Sequence, residues 1–278
     1  MSTSNKLALI SGGGGLPVDV ANYLNKIQRQ YTVVRIEGLS DPQLDDHPGH
    51  TLGLGDFAKL FEILAAEQCK AVTMCGYVQR PDFDDMKKEH GTDHLSSIQS
   101  AGRGGDDSLL RQVAKVIASQ GYHIEGAHEA NPELLIGRGL QAGPDPSPEA
   151  MADAQEAMRI ATAIGALDIG QAVVVADHIT LAVEAQEGTQ NMLRRIASLS
   201  PVLRGSIANR KGVVAKVAKP IQDLRLDMPT IGVSTIEDAA AAGLSGIVAR
   251  AGHLLVVDKA TTHARAAELG VFLYGHHD

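Results

Sequence analysis

The sequence predicts an α/β protein of two domains, the first built on a parallel, doubly wound sheet and the second a distinct domain of mixed strand order. Three observations predict this. The first half alternates short apolar runs with helix-length amphipathic stretches, the pattern of strands joined by crossover helices. A segment rich in Pro and Gly, Gly137–Ser147, then interrupts that alternation, and such composition marks a linker. At 278 residues the chain also exceeds the usual single-domain size, so two cores are the default. The expected boundaries are residues 1–136, a linker over 137–147, and residues 148–278.

In the first half Lys6–Ile10 is a short apolar strand, Gly12–Gly15 a glycine loop, and Leu16–Ile27 an amphipathic helix. Pro17 falls in the first turn of that helix, where its missing N–H costs nothing. Thr32–Ile36 reads as a second strand, Gly55–Gln68 as a helix and Ala71–Cys75 as a third strand ending at Gly76. Helix Ser108–Gln120 and strand Tyr122–Glu125 follow. In the second half Ser147 and Pro148 supply the N-cap and first position of a helix reaching Ile164. Gln171–Val175 and Ile179–Glu184 read as paired strands around Asp177–His178, and Val213–Val217 as a third strand. A capping box, Ser234 with Glu237, opens a helix over Ser234–Ala242 that stops at Gly243. Gly246–Ala249, Leu254–Val257 and Ala260–Leu269 continue the αβ pattern.

Composition narrows the function. Hydrophobic residues make up 44% of the chain and the mean hydropathy is −0.04, which suits a globular protein with ample core. A net charge of −8 argues against nucleic-acid binding, which needs a basic face. No apolar run approaches the roughly 18 residues of a membrane span, and the N-terminus lacks a signal pattern, so neither a span nor export is expected. Cys69 and Cys75 lie in an apolar αβ stretch and read as reduced core thiols.

The segment Lys216–Gly232, KVAKPIQDLRLDMPTIG, carries the most chemistry. It sets Lys216, Lys219 and Arg225 beside Asp223 and Asp227, with Pro220 and Pro229 forbidding a continuous helix. Charges in a half-apolar segment need partners. Cations there suit phosphate oxygens and carboxylates suit a hard metal ion or an attacking water. The same residues also suit a salt-bridged inter-domain hairpin. The glycine loop Gly12, Gly13, Gly14 and Gly15 puts N–H groups at a helix N-terminus, a place for an anion. It is no dinucleotide fingerprint, since Pro17 replaces the third glycine, and a tight turn explains it equally well. Gly76–Pro81 with Arg80 follows the third strand, where open α/β sheets bind ligands. Asp107 opens a helix as a ligand contact or an N-cap, and His128 is a ligand contact or a loop histidine. His47, His50, His90, His94, His276 and His277 read as solvated. Glu184 and Glu187, an odd number of residues apart, face one site only if a turn intervenes, which Gly188 allows.

Six motifs in order carry a family resemblance: LISGGGGLP at Leu9–Pro17, GYVQRP at Gly76–Pro81, GDDSLLR at Gly105–Arg111, LDIGQAVVV at Leu167–Val175, AVEAQEGT at Ala182–Thr189, and KPIQDLRLDMPTIG at Lys219–Gly232. Through them the chain resembles, over nearly its whole length, the metal-dependent UDP-2,3-diacylglucosamine pyrophosphatases of the LpxI type. Gln190 stands where that family usually carries aspartate. The resemblance implies a Rossmann-like N-terminal domain, a distinct C-terminal domain, and Mg²⁺-dependent hydrolysis of UDP-2,3-diacylglucosamine to lipid X and UMP in lipid A biosynthesis, with Mn²⁺ as a substitute metal. It further implies a cytoplasmic enzyme in peripheral contact with the inner membrane of a Gram-negative bacterium, and is compatible with a homodimer. Asp227 is the expected key acid, holding metal or water. Asp223 and Glu187 would support it, Glu187 as a second metal ligand. Lys216, Lys219 and Arg225 would clamp phosphate. The glycine loop, Arg80, Asp107, Gln171 and Thr189 would bind substrate. Other classes compatible with the residues are a nucleotide-sugar oxidoreductase, against which the broken fingerprint speaks, and a non-catalytic nucleotide- or lipid-binding regulator.

Overall fold

The structure is a computed structural model that describes residues 5–78 and 106–277. The chain divides into two units, Met1–Glu133 with Asp223–Asp227, and Leu134–Gln222 with Met228–Asp278.

The first unit is a five-stranded sheet of order β3-β2-β1-β4-β5, with every pairing parallel. Its strands are β1 (Leu7–Ser11), β2 (Tyr31–Ile36), β3 (Gly49–Leu52), β4 (Ala71–Cys75) and β5 (His123–Ile124). β2 is buried along its whole length, because helices cover both faces of a parallel sheet. α1 (Leu16–Lys26) turns Pro17, Val20, Ala21 and Leu24 inward, a helical stripe at spacings of three and four. α2 (Phe57–Ala66) and α3 (Asp106–Ser119) build the core on Ala8, Val34 and Val72, through Leu60, Ile63, Leu64, Ala114 and Ile117. A short α4 (Ala127–Ala130) follows β5. The parallel sheet expected from sequence is present. β3 had no sequence signal: its residues GHTL are mostly polar and three are exposed, so only its pairing with β2 makes it a strand.

The second unit holds a six-stranded mixed sheet of order β6-β13-β11-β9-β7-β8 and a separate pair, β10-β12. In chain order its elements are β6 (Gly139–Ala142), α5 (Pro148–Ala166), β7 (Ala172–Ala176), β8 (Ile179–Val183), α6 (Gly188–Ala197), α7 (Pro201–Arg204), β9 (Val213–Lys216), β10 (Thr230–Ile231), α8 (Val233–Ala241), β11 (Gly246–Arg250), β12 (Leu255–Val256), α9 (Lys259–Leu269) and β13 (Phe272–His276). Alternate residues of β7 feed opposite cores. Val173 and Val175 meet Ala150, Ala154, Ala157 and Ala161 of α5, whose small side chains let the helix lie close. Ala172 and Val174 meet Met192, Leu193 and Ile196 of α6 with Ile236 of α8. The β7–β8 turn puts Asp177 and His178 at φ 50 and 64, as a tight hairpin turn requires. Both of their N–H groups donate to the buried carboxylate of Asp153.

Four expectations change here. Gly137–Ser147 is no linker: it lies inside the second unit, and β6 pairs antiparallel with β13. Gly143 serves close packing, since a Cβ there would lie 2.2 Å from Val271 O. Asp223–Asp227, assigned from sequence to the second domain, belongs to the first unit. The capping box is displaced: α8 starts from Gly232, whose N–H donates to Thr235 Oγ1 at 3.5 Å, while Glu237 pairs with Arg265. Of the histidines read as solvated, His47 is half-buried with Nδ1 2.6 Å from Tyr31 Oη and His276 is half-buried at the end of β13, whereas His50 is exposed as expected, with Nε2 2.6 Å from Glu67 Oε1. His90 and His94 lie outside the described residues.

Candidate functional site

The strand order of the first sheet reverses between β1 and β4. Such a switch point leaves a crevice at the strand C-termini where α/β proteins bind ligands. The glycine loop follows β1 there and Gly76–Tyr77 follows β4. Gly13 and Tyr77 exchange N–H···O bonds of 2.8 Å in both directions, and Gly12 N–H donates to Cys75 O at 2.9 Å. A Cβ on Gly12 would lie 2.7 Å from Tyr77 O. Gly12 and Gly13 therefore permit two loops to touch, and their amides are spent on that contact. The anion-binding capacity of the loop falls to its far end: Gly15 is the N-cap of α1 with no side-chain cap, and a helix start leaves N–H groups pointing outward. A polar cavity of about 950 Å³ lined by Lys6, Gln30, Glu67, Gln68, Lys70 and Tyr122 lies at the opposite, N-terminal ends of these strands, away from the candidate residues.

Asp223–Asp227 stands at the same C-terminal edge, since a Cβ on Gly126, just past β5, would lie 2.9 Å from Arg225 Cα. Leu226 packs on the first unit's core. The segment is a turn and not the extended strand that alternation would need: Leu226 N–H and Asp227 N–H both donate to Asp223 O, at 2.9 and 3.1 Å. Asp223 and Arg225 still meet, through the turn. The Asp223 carboxylate accepts the Arg225 backbone N–H at 3.1 Å, Nε at 3.0 Å and Nη2 at 2.7 Å. Those Arg225 bonds hold the Asp223 carboxyl below its ordinary range, with Arg111 adding to the effect. Arg111, the last residue of GDDSLLR, had no individual role in the sequence reading. Its signal was available: a basic residue at the first turns of α3, on the sheet edge where ligands bind. Arg80 and the side chain of Asp107 lie outside the described residues.

The second unit gathers another group at one end of its sheet. Ala172 pairs with Lys216 and Val173 with Val183, so Gln171, Glu184 and Lys216 share that end. Glu184 is 6% exposed. It accepts Thr189 Oγ1 at 2.8 Å and the Gln171 N–H at 3.1 Å. The approach is tight, since a Cβ on Gly170 would lie 2.1 Å from Glu184 O. Glu187 is the N-cap of α6, with Gly188 at φ 76, the turn that sequence reasoning required. Its carboxylate accepts Arg195 Nη2 at 3.0 Å and Ala185 N–H at 3.1 Å. Lys216 Nζ donates to Thr230 O at 2.9 Å and Lys219 Nζ to Asp168 Oδ1 at 2.7 Å. Glu184 was noticed in the sequence but given no role, and its burial beside Gln171 and Thr189 makes it part of this group.

The sequence candidates thus fall into two sets: Asp223, Arg225 and Asp227 with the glycine loop in the first unit, and Gln171, Glu187, Thr189, Lys216 and Lys219 in the second. Among the described residues no three His, Cys, Asp or Glu side chains gather as a metal cage. The donors present are carboxylates, hard oxygens that suit Mg²⁺ held partly by phosphate and water.

Residues 6–134 match the LpxI N-terminal domain and residues 137–274 the LpxI C-terminal domain. The chain is 48% identical over 271 residues to the UDP-2,3-diacylglucosamine pyrophosphatase LpxI of Caulobacter vibrioides, covering 97% of each chain. Among solved structures it is similar to CobK precorrin-6A reductase at 13% identity and TM-score 0.33, over 99% of this chain and 89% of that one. It is also similar to an N5-carboxyaminoimidazole synthase of Aspergillus clavatus at 14% identity and TM-score 0.24, over 67% and 42%. Both likenesses are too remote to carry an argument.

Proposed function

The chain belongs to the LpxI family, whose two domains it carries in order, and on that premise we propose that it is a UDP-2,3-diacylglucosamine pyrophosphatase of lipid A synthesis. The observation that carries the reading is identity of 48% with a relative of that name across nearly all of both chains. The donor chemistry supports it. In the reaction, water attacks one phosphorus of the pyrophosphate, the bridging P–O bond breaks, and the products are UMP and the diacylglucosamine 1-phosphate, lipid X. A pyrophosphate gathers negative charge as that bond breaks, and fixed cations and N–H dipoles stabilise the change.

In this reading the α1 N-terminus and Arg225 bind phosphate on the first unit, with Arg111 placed to add charge. Arg225 remains held by Asp223, which fixes the direction of its guanidinium. Lys216 and Lys219 offer ammonium groups on the second unit. Asp227 orients the attacking water and accepts its proton. A carboxylate such as Asp227 or Glu187 would hold Mg²⁺, which would neutralise developing charge. The enzyme would be cytoplasmic and touch the inner membrane only peripherally. Among the described residues no helix is long and apolar enough to cross a membrane.

The test is UMP release from UDP-2,3-diacylglucosamine. Asp227→Ala should lose roughly 10²-fold or more in turnover, about 2.7 kcal/mol of barrier, while its melting temperature stays near that of the parent. A variant that is destabilised yet fully active per folded molecule would leave Asp227 a structural residue.

A further inference from the structure

Among the described residues two carboxylates are buried, Asp153 and Glu184. Asp153 serves the fold, since it accepts the two turn amides of the β7–β8 hairpin. Glu184 has a different pair of donors: Oε2 accepts the Gln171 N–H at 3.1 Å, and Oε1 accepts the hydroxyl of Thr189 at 2.8 Å. A hydroxyl carries one proton and two lone pairs, and a carboxylate can only accept. The Thr189 proton therefore points at Glu184, and the lone pairs of its oxygen face elsewhere. Thr189 itself is only half-buried, so a ligand can reach it. Ala172 pairs with Lys216 and its carbonyl accepts the Glu184 N–H at 2.9 Å. Glu184, Ala172 and Lys216 thus form one row across β8, β7 and β9. Residues directly opposite one another share a face of the sheet, and in this row only the methyl of Ala172 separates the carboxylate from the lysine.

We propose that Glu184 is a positioning residue that makes Thr189 a hydrogen-bond acceptor, and that Thr189 thereby selects a donor on the substrate, an N–H or O–H of the acylated sugar. The inference rests on the reading that the substrate is a diacylated glucosamine diphosphate ester, and it specifies what Thr189 does in that site. A threonine with its proton free would donate to a phosphate oxygen. One whose proton is held by a carboxylate repels that oxygen, because both then offer only lone pairs. Phosphate is left to Lys216 and the sugar falls to Thr189. Two strand spacings, roughly 10 Å, separate the ends of the row, the length of a sugar 1-phosphate with a hydrogen bond at each end. The donors that such a sugar offers are its 2-acylamido N–H and its 4- and 6-hydroxyls. A fixed acceptor rejects a ligand that lacks the matching donor, because its lone pairs are then desolvated and unpaired.

The experiment is calorimetric titration of the full chain, with Mg²⁺ present, by 2,3-dihexanoylglucosamine 1-phosphate, whose short chains keep it monomeric. Three analogues are titrated in parallel: one with a 2-acyloxy ester in place of the amide, one 4-deoxy and one 6-deoxy. The parent should bind one analogue at least about tenfold more weakly than the complete ligand, and that analogue names the donor. Thr189→Ser, which keeps the hydroxyl, should keep the gap, whereas Thr189→Val should bind the complete and the deficient ligand within about threefold of each other. In Glu184→Gln the amide oxygen must face the Gln171 N–H, so its NH₂ donates to Thr189 and the threonine proton swings outward; the gap should close here too. A carboxylate with a merely structural role would weaken every ligand by the same factor and leave the gap open, overturning the proposal. The two Thr189 variants carry the test by themselves if Glu184→Gln does not fold: a hydroxyl that donated to phosphate would leave the gap intact on its removal, and that result would overturn the proposal as well. So would a parent that binds all four ligands alike, or none of them. A parent that shows the gap but releases no UMP from UDP-2,3-diacylglucosamine would remove the enzymatic reading and leave the sugar recognition standing.

Discussion

Asp223 shows how a residue two positions from its partner can be set by a turn. In an extended chain Asp223, Arg225 and Asp227 would share one face. The turn instead folds Arg225 back on Asp223, so the cation expected to clamp phosphate reaches any ligand already half-neutralised. Because Arg225 lowers the Asp223 pKa from its ordinary 3.8, the pair stabilises the fold above that pH, and the contribution disappears as pH falls through the lowered value. Asp223→Asn should therefore lower stability at pH 7 by about 0.5–1 kcal/mol, the range for a partly exposed pair. In urea titrations the gap from the parent should close below pH 3.8. A gap that persisted unchanged in acid would show that the turn, and not the charge, carries the effect.

At the scale of elements, the glycine loop and the β7–β8 hairpin show two uses of special backbone. The hairpin needs left-handed φ at Asp177 and His178, and the chain meets the requirement with a buried carboxylate from another element, Asp153 on α5, that accepts both turn amides. The glycine loop solves a spacing problem. Gly12 is needed because a Cβ would press on the Tyr77 carbonyl at 2.7 Å and Gly76 C at 2.9 Å, both backbone atoms that cannot swing aside. Gly12→Ala should cost about 1–3 kcal/mol of stability, as overpacking does. Gly14→Ala, with nothing within 4 Å of its Cβ but φ at +85, should cost about 1–2 kcal/mol from backbone strain alone. Urea unfolding of both variants checks the contrast, and a Gly12→Ala protein as stable as the parent would mean that the Gly76–Tyr77 segment can retreat.

At the scale of the whole molecule, the absence of a three-ligand group among the described residues bears on metal dependence. A hard cation shared with substrate phosphates is held weakly by protein alone. The purified chain should then carry well under one equivalent of Mg²⁺ or Mn²⁺ by elemental analysis, and chelation with EDTA should abolish UMP release that added Mg²⁺ restores; turnover surviving exhaustive chelation would end the metal requirement. Much of the architecture was legible along the chain, because burial of a strand on both faces or of one helix stripe leaves a periodic apolar signal of its own, as in β2, α1 and α5. The family was legible too, since six motifs in order are local strings of residues. What sequence could not decide were features whose cause lies in a distant segment. β3 and β6 are strands only because β2 and β13 pair with them. Gly137–Ser147 looked like a linker because Gly143, which admits the backbone of Val271, and its neighbours have the same composition as flexible chain. Asp223–Asp227 left the unit of its sequence neighbours because Leu226 finds its core in the first unit. Periodicity and motif chemistry are written residue by residue, so the sequence determined the αβ character, the helix faces and the choice of charged residues. Pairing, close approach and the partner of each charge depend on which remote atoms arrive beside them, and only the tertiary structure decided those.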